Sequence, residues 1–114
     1  MKILVVDDDV DFADGMAEML GLFEHDVHTA YSCEAGIAAA GKESFDLALI
    51  DVGLNDRNGA ECAREIRKLS KTTAFVLVTG YSAEALARMG MSVEEFNILR
   101  KPVKLEDLEP FLKD

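Results

Sequence analysis

Polar side chains that could do chemistry stand directly after short apolar runs of the chain. They are Asp7, Asp8, Asp9, Asp51, Thr79 and Lys101. Two carboxylates about 4 Å apart repel each other by roughly 4 kcal/mol at an effective dielectric constant of about 20, so a close group of them needs a cation or a shared proton. Hard oxygen ligands favour Mg²⁺, which usually takes one or two protein carboxylates and keeps water at its other positions. Such open positions suit an incoming phosphoryl group.

Five apolar or β-branched runs predict the strands that would position these side chains. They cover residues 2–6, 26–30, 45–50, 74–78 and 96–100, the second being the weakest. Continuous apolarity is typical of parallel strands that helices cover on both faces. Helical spacing of apolar residues predicts helices over 10–24, 34–42, 60–69, 82–89 and 105–112. The alternation predicts one α/β domain over residues 1–114, with a five-stranded, doubly wound parallel sheet and right-handed crossovers.

In a sheet of this kind, ligands gather at the carboxyl ends of the strands. An aspartate after a strand also often forms a turn or caps a helix, and this structural interpretation is preferred for Asp9 and Asp11. For the other three aspartates of the set listed above, the presence of a hydroxyl and an amine at the same sheet edge favours the chemical interpretation. An EF-hand loop that begins at Asp7 is rejected because its sixth position is Phe12, where a glycine is required.

The charge and the cysteines limit the remaining classes of function. A formal net charge of −10 argues against nucleic-acid binding, which relies on attraction to phosphate. Cys33 and Cys62 have no metal-site spacing, so we expect two reduced, buried thiols and no disulfide. No apolar run approaches the length of a signal-peptide core or of a membrane span, which predicts no membrane contact and makes the cytoplasm the expected compartment.

Four motifs, each at a predicted strand end, carry a family resemblance. They are ILVVDDD, LALIDVGLNDRNG, FVLVTG and LRKP, in this order. The set resembles the receiver domain of two-component response regulators over essentially the full length. The resemblance implies a flavodoxin-like (βα)5 fold with strand order 2-1-3-4-5. It also implies a signalling domain of a phosphorelay, which is not an enzyme with a separate substrate but catalyses its own phosphorylation and dephosphorylation.

The resemblance also implies the roles of the acidic residues. Asp51 would accept a phosphoryl group from a phosphohistidine of a sensor histidine kinase or of a histidine phosphotransfer protein. Asp8 and Asp51 would bind Mg²⁺ directly, together with the backbone carbonyl of Gly53, whereas Asp7 would act mainly through a coordinated water. A carboxylate suits the nucleophile because it is ionised near neutral pH and gives a labile mixed anhydride.

Further residues would modulate the reaction and transmit it. Thr79 and Lys101 would each bind a phosphoryl oxygen after transfer, and the signal would change the face of the fourth helix, fifth strand and last helix. Gly53 and Tyr81 flank the phosphoryl group in this family, and the bulky Tyr81 predicts slow autodephosphorylation. That output face could also form a homodimer. The donor kinase, the downstream target and any effector domain are not identified by the sequence.

Three positions depart from the family pattern. Asn55 stands where the family usually carries a proline, which predicts a less rigid loop with intact chemistry. Ile98 replaces the aromatic residue that usually changes rotamer with Thr79, so the usual form of the switch is not expected. Gly90 and a capping-box pattern over residues 92–95 predict a broken or reshaped fourth helix. Together with the TGYS and LRKP motifs, this resembles receivers associated with hybrid sensor kinases, or single-domain receivers, more than those fused to DNA-binding effectors.

Three other functions share some of these features. A haloacid-dehalogenase-like phosphatase also forms an aspartyl-phosphate and would use Asp7 and Asp9, but Asp11 stands where its small hydroxyl residue is expected. A pseudo-receiver would bind partners without being phosphorylated, although every principal site position is filled here. A flavodoxin-like FMN carrier would need a Ser/Thr/Gly-rich phosphate loop after the first strand, and the aspartates stand there instead.

Overall fold

The five apolar runs form a parallel sheet in the computed structural model, which describes residues 1–91 and 93–112. The strands are β1 (Lys2–Val6), β2 (Asp26–Ala30), β3 (Leu47–Asp51), β4 (Ala74–Thr79) and β5 (Asn97–Arg100). The helices are α1 (Val10–Gly21), α2 (Cys33–Lys42), α3 (Gly59–Leu69), α4 (Ala83–Arg88) and α5 (Leu105–Leu108), with a 3₁₀ turn over Glu109–Phe111. The spatial order is β2-β1-β3-β4-β5. This confirms the predicted fold class and strand order.

The central strands bury both of their faces, and alternate residues pack into two separate cores. In β1, Leu4 and Val6 face a core that α2, α3 and α4 cover. Ile3 and Val5 face the opposite core, under α1 and α5. Burial on both sides explains why these strands read as continuous apolar runs in the sequence.

Several element ends differ from the predicted ones for local physical reasons. Helix α1 ends at Gly21 rather than at the predicted residue 24. Glu24 has a positive φ of 68°, which a right-handed helix does not allow, so the helix cannot include this residue. The α-helical part of the last helix ends at Leu108, because Pro110 has no N–H to continue the hydrogen-bond ladder. Among the described residues, no helix combines the length and the apolarity that crossing a membrane requires.

Helix α4 is short, as predicted, and ends in a Schellman motif. Gly90 has a φ of 72°, its N–H donates to the carbonyl of Ala87, and the next N–H, of Met91, donates to Leu86. A glycine suits this position because the left-handed conformation is strained in residues with a Cβ. The predicted capping box over residues 92–95 begins at a residue outside the described part of the chain.

The expectation of two reduced cysteines is wrong in this structure. Cys33 at the start of α2 and Cys62 in α3 are joined by a disulfide, and both are fully buried. The prediction rested on spacing along the chain, and 29 residues separate the two cysteines. Helices α2 and α3 pack side by side on one face of the sheet, which brings their Cα atoms within 5.7 Å.

Candidate functional site

The carboxyl ends of four strands meet at one edge of the sheet and present the polar side chains there. Asp51 and Thr79 are the last residues of β3 and β4, while Asp7 and Lys101 follow β1 and β5 directly. The parallel register brings Val6 level with Ile50 and brings Asp51 level with Val78. Residues that lie up to 94 positions apart in the sequence therefore share one site.

The carboxylates of Asp7, Asp8 and Asp51 form a cluster in which one oxygen from each lies within 4.8 Å of the others. Asp7 is almost fully buried and has hydrogen bonds to both of its oxygens. Its Oδ1 accepts from the N–H of Asp9 and its Oδ2 accepts from Lys101 Nζ, each at 2.9 Å. These two donors satisfy the buried Asp7 carboxylate and hold it in a fixed orientation within the cluster.

Asp8 and Asp51 are more open than Asp7. Oδ2 of Asp8 accepts from the main-chain N–H of Asn55 at 2.9 Å, and Oδ1 of Asp51 lies 3.6 Å from Lys101 Nζ. The described residues donate no hydrogen bond to the second oxygen of either carboxylate. Clustered oxygens of this kind fit a hard divalent cation, which would also offset their mutual repulsion.

The net effect of burial and of the charges of the cluster is to raise the pKa of two groups, Asp51 and Lys101. The raised pKa favours the neutral form of Asp51 and the charged form of Lys101. Burial, followed by the charge of Asp7, raises the pKa of Asp51 from its ordinary 3.8 to about 6, although Lys101 acts against this. Burial tends to lower the pKa of Lys101, but the hydrogen bond to Asp7 and the charge of Asp51 outweigh it, so this pKa is raised. Lys101 therefore stays protonated near neutral pH, whereas Asp51 remains close to the point at which it gains a proton.

Three further predicted residues, Thr79, Gly53 and Tyr81, lie at or just after the carboxyl ends of β3 and β4. Thr79 is buried, and its Oγ1 accepts from the main-chain N–H of Tyr81 at 2.9 Å. An ideal Cβ built on Gly53 would lie 3.8 Å from Oδ2 of Asp51 and 3.9 Å from Cε2 of Tyr81. The half-exposed Tyr81 ring therefore stands close to the approach to Asp51.

The loop between β3 and α3, residues 52–58, is fixed at both ends. The carboxylate of Asp56 accepts from the N–H groups of Cys33 and Glu34 and so caps α2, which lowers the pKa of this aspartate. Asn58 caps α3. A Cβ on Gly59 would lie 2.1 Å from the carbonyl oxygen of Asp51, so only glycine permits this close turn.

The remaining predicted residues lie outside the cluster. Asp9 is exposed and caps α1 through the N–H of Phe12, in agreement with the structural interpretation. Asp11 is exposed in the first turn of α1. Ile98 is exposed on β5, opposite Leu77, and does not belong to the carboxylate cluster.

Sequence reasoning missed two contacts of the site. It assigned the loop after Asp51 no role for the N–H of Asn55, and it did not single out Asp56. The first contact uses the main chain, which no side-chain pattern reveals. An aspartate just before the Asn58 cap was the available signal for the second, but its partner helix is remote in sequence.

An apolar groove of about 540 Å³ lies beside the carboxylate cluster, between α1 and the segment that follows β5. Its lining residues are Asp11, Phe12, Gly15, Met16, Met19, Lys101, Pro102 and Val103. Lys101 belongs to both features, because Nζ lies 4.1 Å from the centre of the Phe12 ring while it bonds to Asp7. The groove and the cluster are thus contiguous.

Comparison with known proteins places these features in a family. The protein-family model that describes the response regulator receiver domain matches residues 3–113 of the sequence. The transcriptional regulatory protein ZraR of Salmonella typhimurium is 29% identical over 113 residues, which are 99% of this chain and 26% of that protein. A response regulator receiver protein of Anaeromyxobacter is 33% identical, over 90% of this chain and 43% of the relative. The chain thus spans about a quarter to a half of these relatives.

Solved structures agree with this match. A response regulator of Burkholderia pseudomallei, with a phosphorylated aspartic acid, a calcium ion and citrate, has a TM-score of 0.85 and 26% identity, covering 98% of this chain and 66% of that one. A CheY-like receiver domain of Methylobacillus flagellatus also has a TM-score of 0.85, with 27% identity and 98% and 95% coverage. With the family model matching nearly the whole chain, this protein belongs to the response regulator receiver domain family.

Proposed function

We propose that this chain is the phosphoacceptor of a two-component system and that Asp51 receives the phosphoryl group from a phosphohistidine. In the transfer, an oxygen of Asp51 forms a bond to phosphorus while the N–P bond of the donor breaks, and the imidazole leaves with the bonding electron pair. The observation that carries the proposal is the convergence of Asp7, Asp8, Asp51 and Lys101 at one sheet edge. Phosphoryl transfer needs such positioning and charge neutralisation more than covalent help.

The donor set at this edge fits Mg²⁺. Asp8 and Asp51 would hold the ion directly, with the carbonyl of Gly53, and Asp7 would act through a bound water because both of its oxygens already accept hydrogen bonds. When bound, the ion supplies positive charge to the phosphoryl oxygens. The Burkholderia response regulator structure contains a calcium ion together with a phosphorylated aspartic acid, which supports a role for a divalent cation in this chain as well.

Thr79 and Lys101 would then read out the phosphorylated state. The Thr79 hydroxyl, which now accepts from Tyr81, would donate to one phosphoryl oxygen, and Lys101 would pair with another. The chain must already sample two conformations before it is phosphorylated, and the contacts of Thr79 and Lys101 with the phosphoryl group would favour one of them by about 1 to 3 kcal/mol. The output would be a change at α4, β5 and α5, in which the exposed Ile98 takes the place of an aromatic switch residue.

The donor would be a sensor histidine kinase or a histidine phosphotransfer protein that docks in the apolar groove beside Asp51. The groove adjoins the site through Lys101, so a partner seated on Phe12 and Met19 would bring its histidine close to Asp51. The groove is largely apolar, which suits the face of a partner helix. A cytoplasmic location and the extent of one domain over residues 1–114 stay predictions.

A competing function is the phosphatase that would use Asp7 and Asp9. The orientation of Asp9 argues against it, because this side chain caps α1 and is exposed.

The bulk of Tyr81 near the approach to Asp51 supports the slow autodephosphorylation that we propose for the phosphorylated chain. Phosphate release within seconds from the purified protein with Mg²⁺ would contradict that rate.

The test is the Mg²⁺-dependent incorporation of phosphoryl groups from acetyl phosphate, followed by intact mass. We expect one group on the unmodified chain and none on Asp51→Asn. Asp9→Asn is the matched control, because asparagine is as good a helix cap as aspartate and the receiver mechanism does not need this carboxylate. Incorporation that survives Asp51→Asn and disappears with Asp7→Asn would support the phosphatase instead, because the first aspartate of its Asp7/Asp9 pair would carry the phosphoryl group. No incorporation into the unmodified chain or into any of these variants would favour the pseudo-receiver.

A further inference from the structure

The main-chain N–H of Asn55 makes the loop's one direct hydrogen bond to the acidic cluster among the residues that the structure describes. It donates to Oδ2 of Asp8 at 2.9 Å, across 47 positions of sequence. The side chain of Asn55 is exposed. The contact therefore depends on the presence of an N–H at this position rather than on the asparagine side chain, and a proline would abolish it.

We propose that the N–H of Asn55 positions the Asp8 carboxylate for the metal, so that this main-chain group is a determinant of divalent-cation affinity. The inference rests on the proposed function, in which Asp8 is a direct ligand. With Oδ2 engaged by the N–H, Oδ1 is left for the cation. Groups that orient a metal ligand typically change the metal affinity by about 10- to 100-fold when they are removed.

The surrounding loop fixes the direction of this N–H. Two bonds of 3.1 Å hold Asp56, the next residue, to the start of α2. On the other side, the N–H of Gly59 donates to the carbonyl of Val52 at 2.8 Å and closes the loop. The donor at residue 55 is therefore held on a framework that belongs to neither β1 nor the Asp8 turn. Such a fixed donor costs little reorganisation when a cation binds.

The charge of the cluster makes this donor useful. Asp8 is only partly buried and shares its site with two other carboxylates, whose repulsion favours its rotation toward solvent. Lys101 neutralises Asp7 and faces Asp51, while no cation among the described residues forms an ion pair with Asp8. The N–H of Asn55 provides the positive partial charge on this side of the cluster.

The experiment compares Mg²⁺ binding by the unmodified chain, Asn55→Pro and Asn55→Ala, measured by titration calorimetry. Asn55→Ala is the matched control, since it removes the side chain and keeps the N–H. We expect Asn55→Ala to bind as the unmodified chain does and Asn55→Pro to bind about 10-fold more weakly. Equal binding by the two variants would overturn the inference alone. Failure of the unmodified chain to bind Mg²⁺ would overturn the proposed function together with it.

A second measurement does not depend on the folding of the proline variant. Amide hydrogen exchange at residue 55, followed by NMR without metal, should be slow in the unmodified chain and distinctly faster in Asp8→Ala. Asp11→Ala, which removes an exposed carboxylate of α1, should leave the exchange unchanged. An Asn55 amide that exchanges equally fast with and without the Asp8 carboxylate would contradict the proposed positioning.

Discussion

Lys101 Nζ lies 2.9 Å from Oδ2 of Asp7, although the two residues stand at opposite ends of the chain. Asp7 is nearly fully buried, and Lys101 keeps about a quarter of its side chain exposed. The bond joins the ends of β1 and β5, which are not neighbours in the sheet. One lysine thus neutralises a buried carboxylate and also faces the proposed nucleophile at 3.6 Å.

Replacing Lys101 by methionine should lower the free energy of unfolding by about 1 to 3 kcal/mol at pH 7.5, because it leaves the Asp7 carboxylate buried without its partner. The loss should shrink near pH 5, where protonation of Asp51 relieves part of the repulsion. Urea unfolding at both pH values measures this. Lys71→Met, at an exposed lysine, is the control. An equal effect of the two substitutions would contradict a structural role for the Lys101–Asp7 pair.

Asp51→Asn should stabilise the metal-free protein at pH 7.5. The pKa of Asp51 is raised to about 6 in the folded chain, so between about pH 4 and pH 6 the folded state keeps a proton that the unfolded state has released. Stability of the unmodified chain therefore falls as the pH rises through this window, and the full cost is present above it.

The ionised Asp51 carboxylate should lower the free energy of unfolding by about 1 to 2 kcal/mol at pH 7.5, because its pKa is raised from 3.8 to about 6 but partial exposure of the group screens its charge. Urea unfolding in EDTA at pH 4.5 and pH 7.5 measures the difference between Asp51→Asn and the unmodified chain. The exposed Asp11→Asn should show no such trend. A difference that is the same at both pH values would mean that the carboxylate of Asp51 is not under electrostatic strain.

Gly59→Ala should destabilise the fold by about 2 kcal/mol or more, because its Cβ would overlap the backbone at Asp51 and Val52. Gly15→Ala is the opposite case: its Cβ meets nothing within 4 Å in the middle of α1, so we expect a gain of about 0.5 to 1 kcal/mol. Thermal unfolding distinguishes them. If Gly59→Ala were as stable as the unmodified chain, the close approach of α3 to β3 would be wrong.

Tyr81→Ala should speed the loss of the phosphoryl group by up to about tenfold, which corresponds to about 1.4 kcal/mol of the barrier, because the ring stands near the path of water to Asp51. The decay of the phosphorylated mass peak with time measures this rate. Tyr31→Ala, which removes a half-exposed ring bonded to Asp14, should leave it unchanged. Equal rates for Tyr81→Ala and the unmodified chain would assign Tyr81 to the surface alone.

The sequence predicted the strands and the meeting of polar side chains at one sheet edge well, because both depend on simple patterns. Apolar runs marked β1, β3 and β4, whose faces are both buried, and the residues after them had to share one edge of a parallel sheet. The weak run 26–30 also forms a strand, although only Ala30 in it is buried.

Contacts between remote main-chain and side-chain groups could not be predicted in this way. The N–H of Asn55 reaches Asp8, and Cys33 reaches Cys62, only because the crossovers bring their elements together. Spacing rules for cysteines describe local motifs, so they excluded a disulfide that tertiary packing permits. The departure at Asn55 was visible in the sequence, but its consequence required the position of the Asp8 carboxylate.

The position of the acyl phosphate tests the central claim most directly. The protein is phosphorylated with acetyl phosphate and Mg²⁺, the acyl phosphate is reduced with borohydride to an alcohol, and the modified residue is located by peptide mass spectrometry. The account predicts the reduced residue at position 51 and its loss when Mg²⁺ is chelated. A phosphoryl group on any other residue, or one at position 51 that forms equally well without a divalent cation, would contradict it.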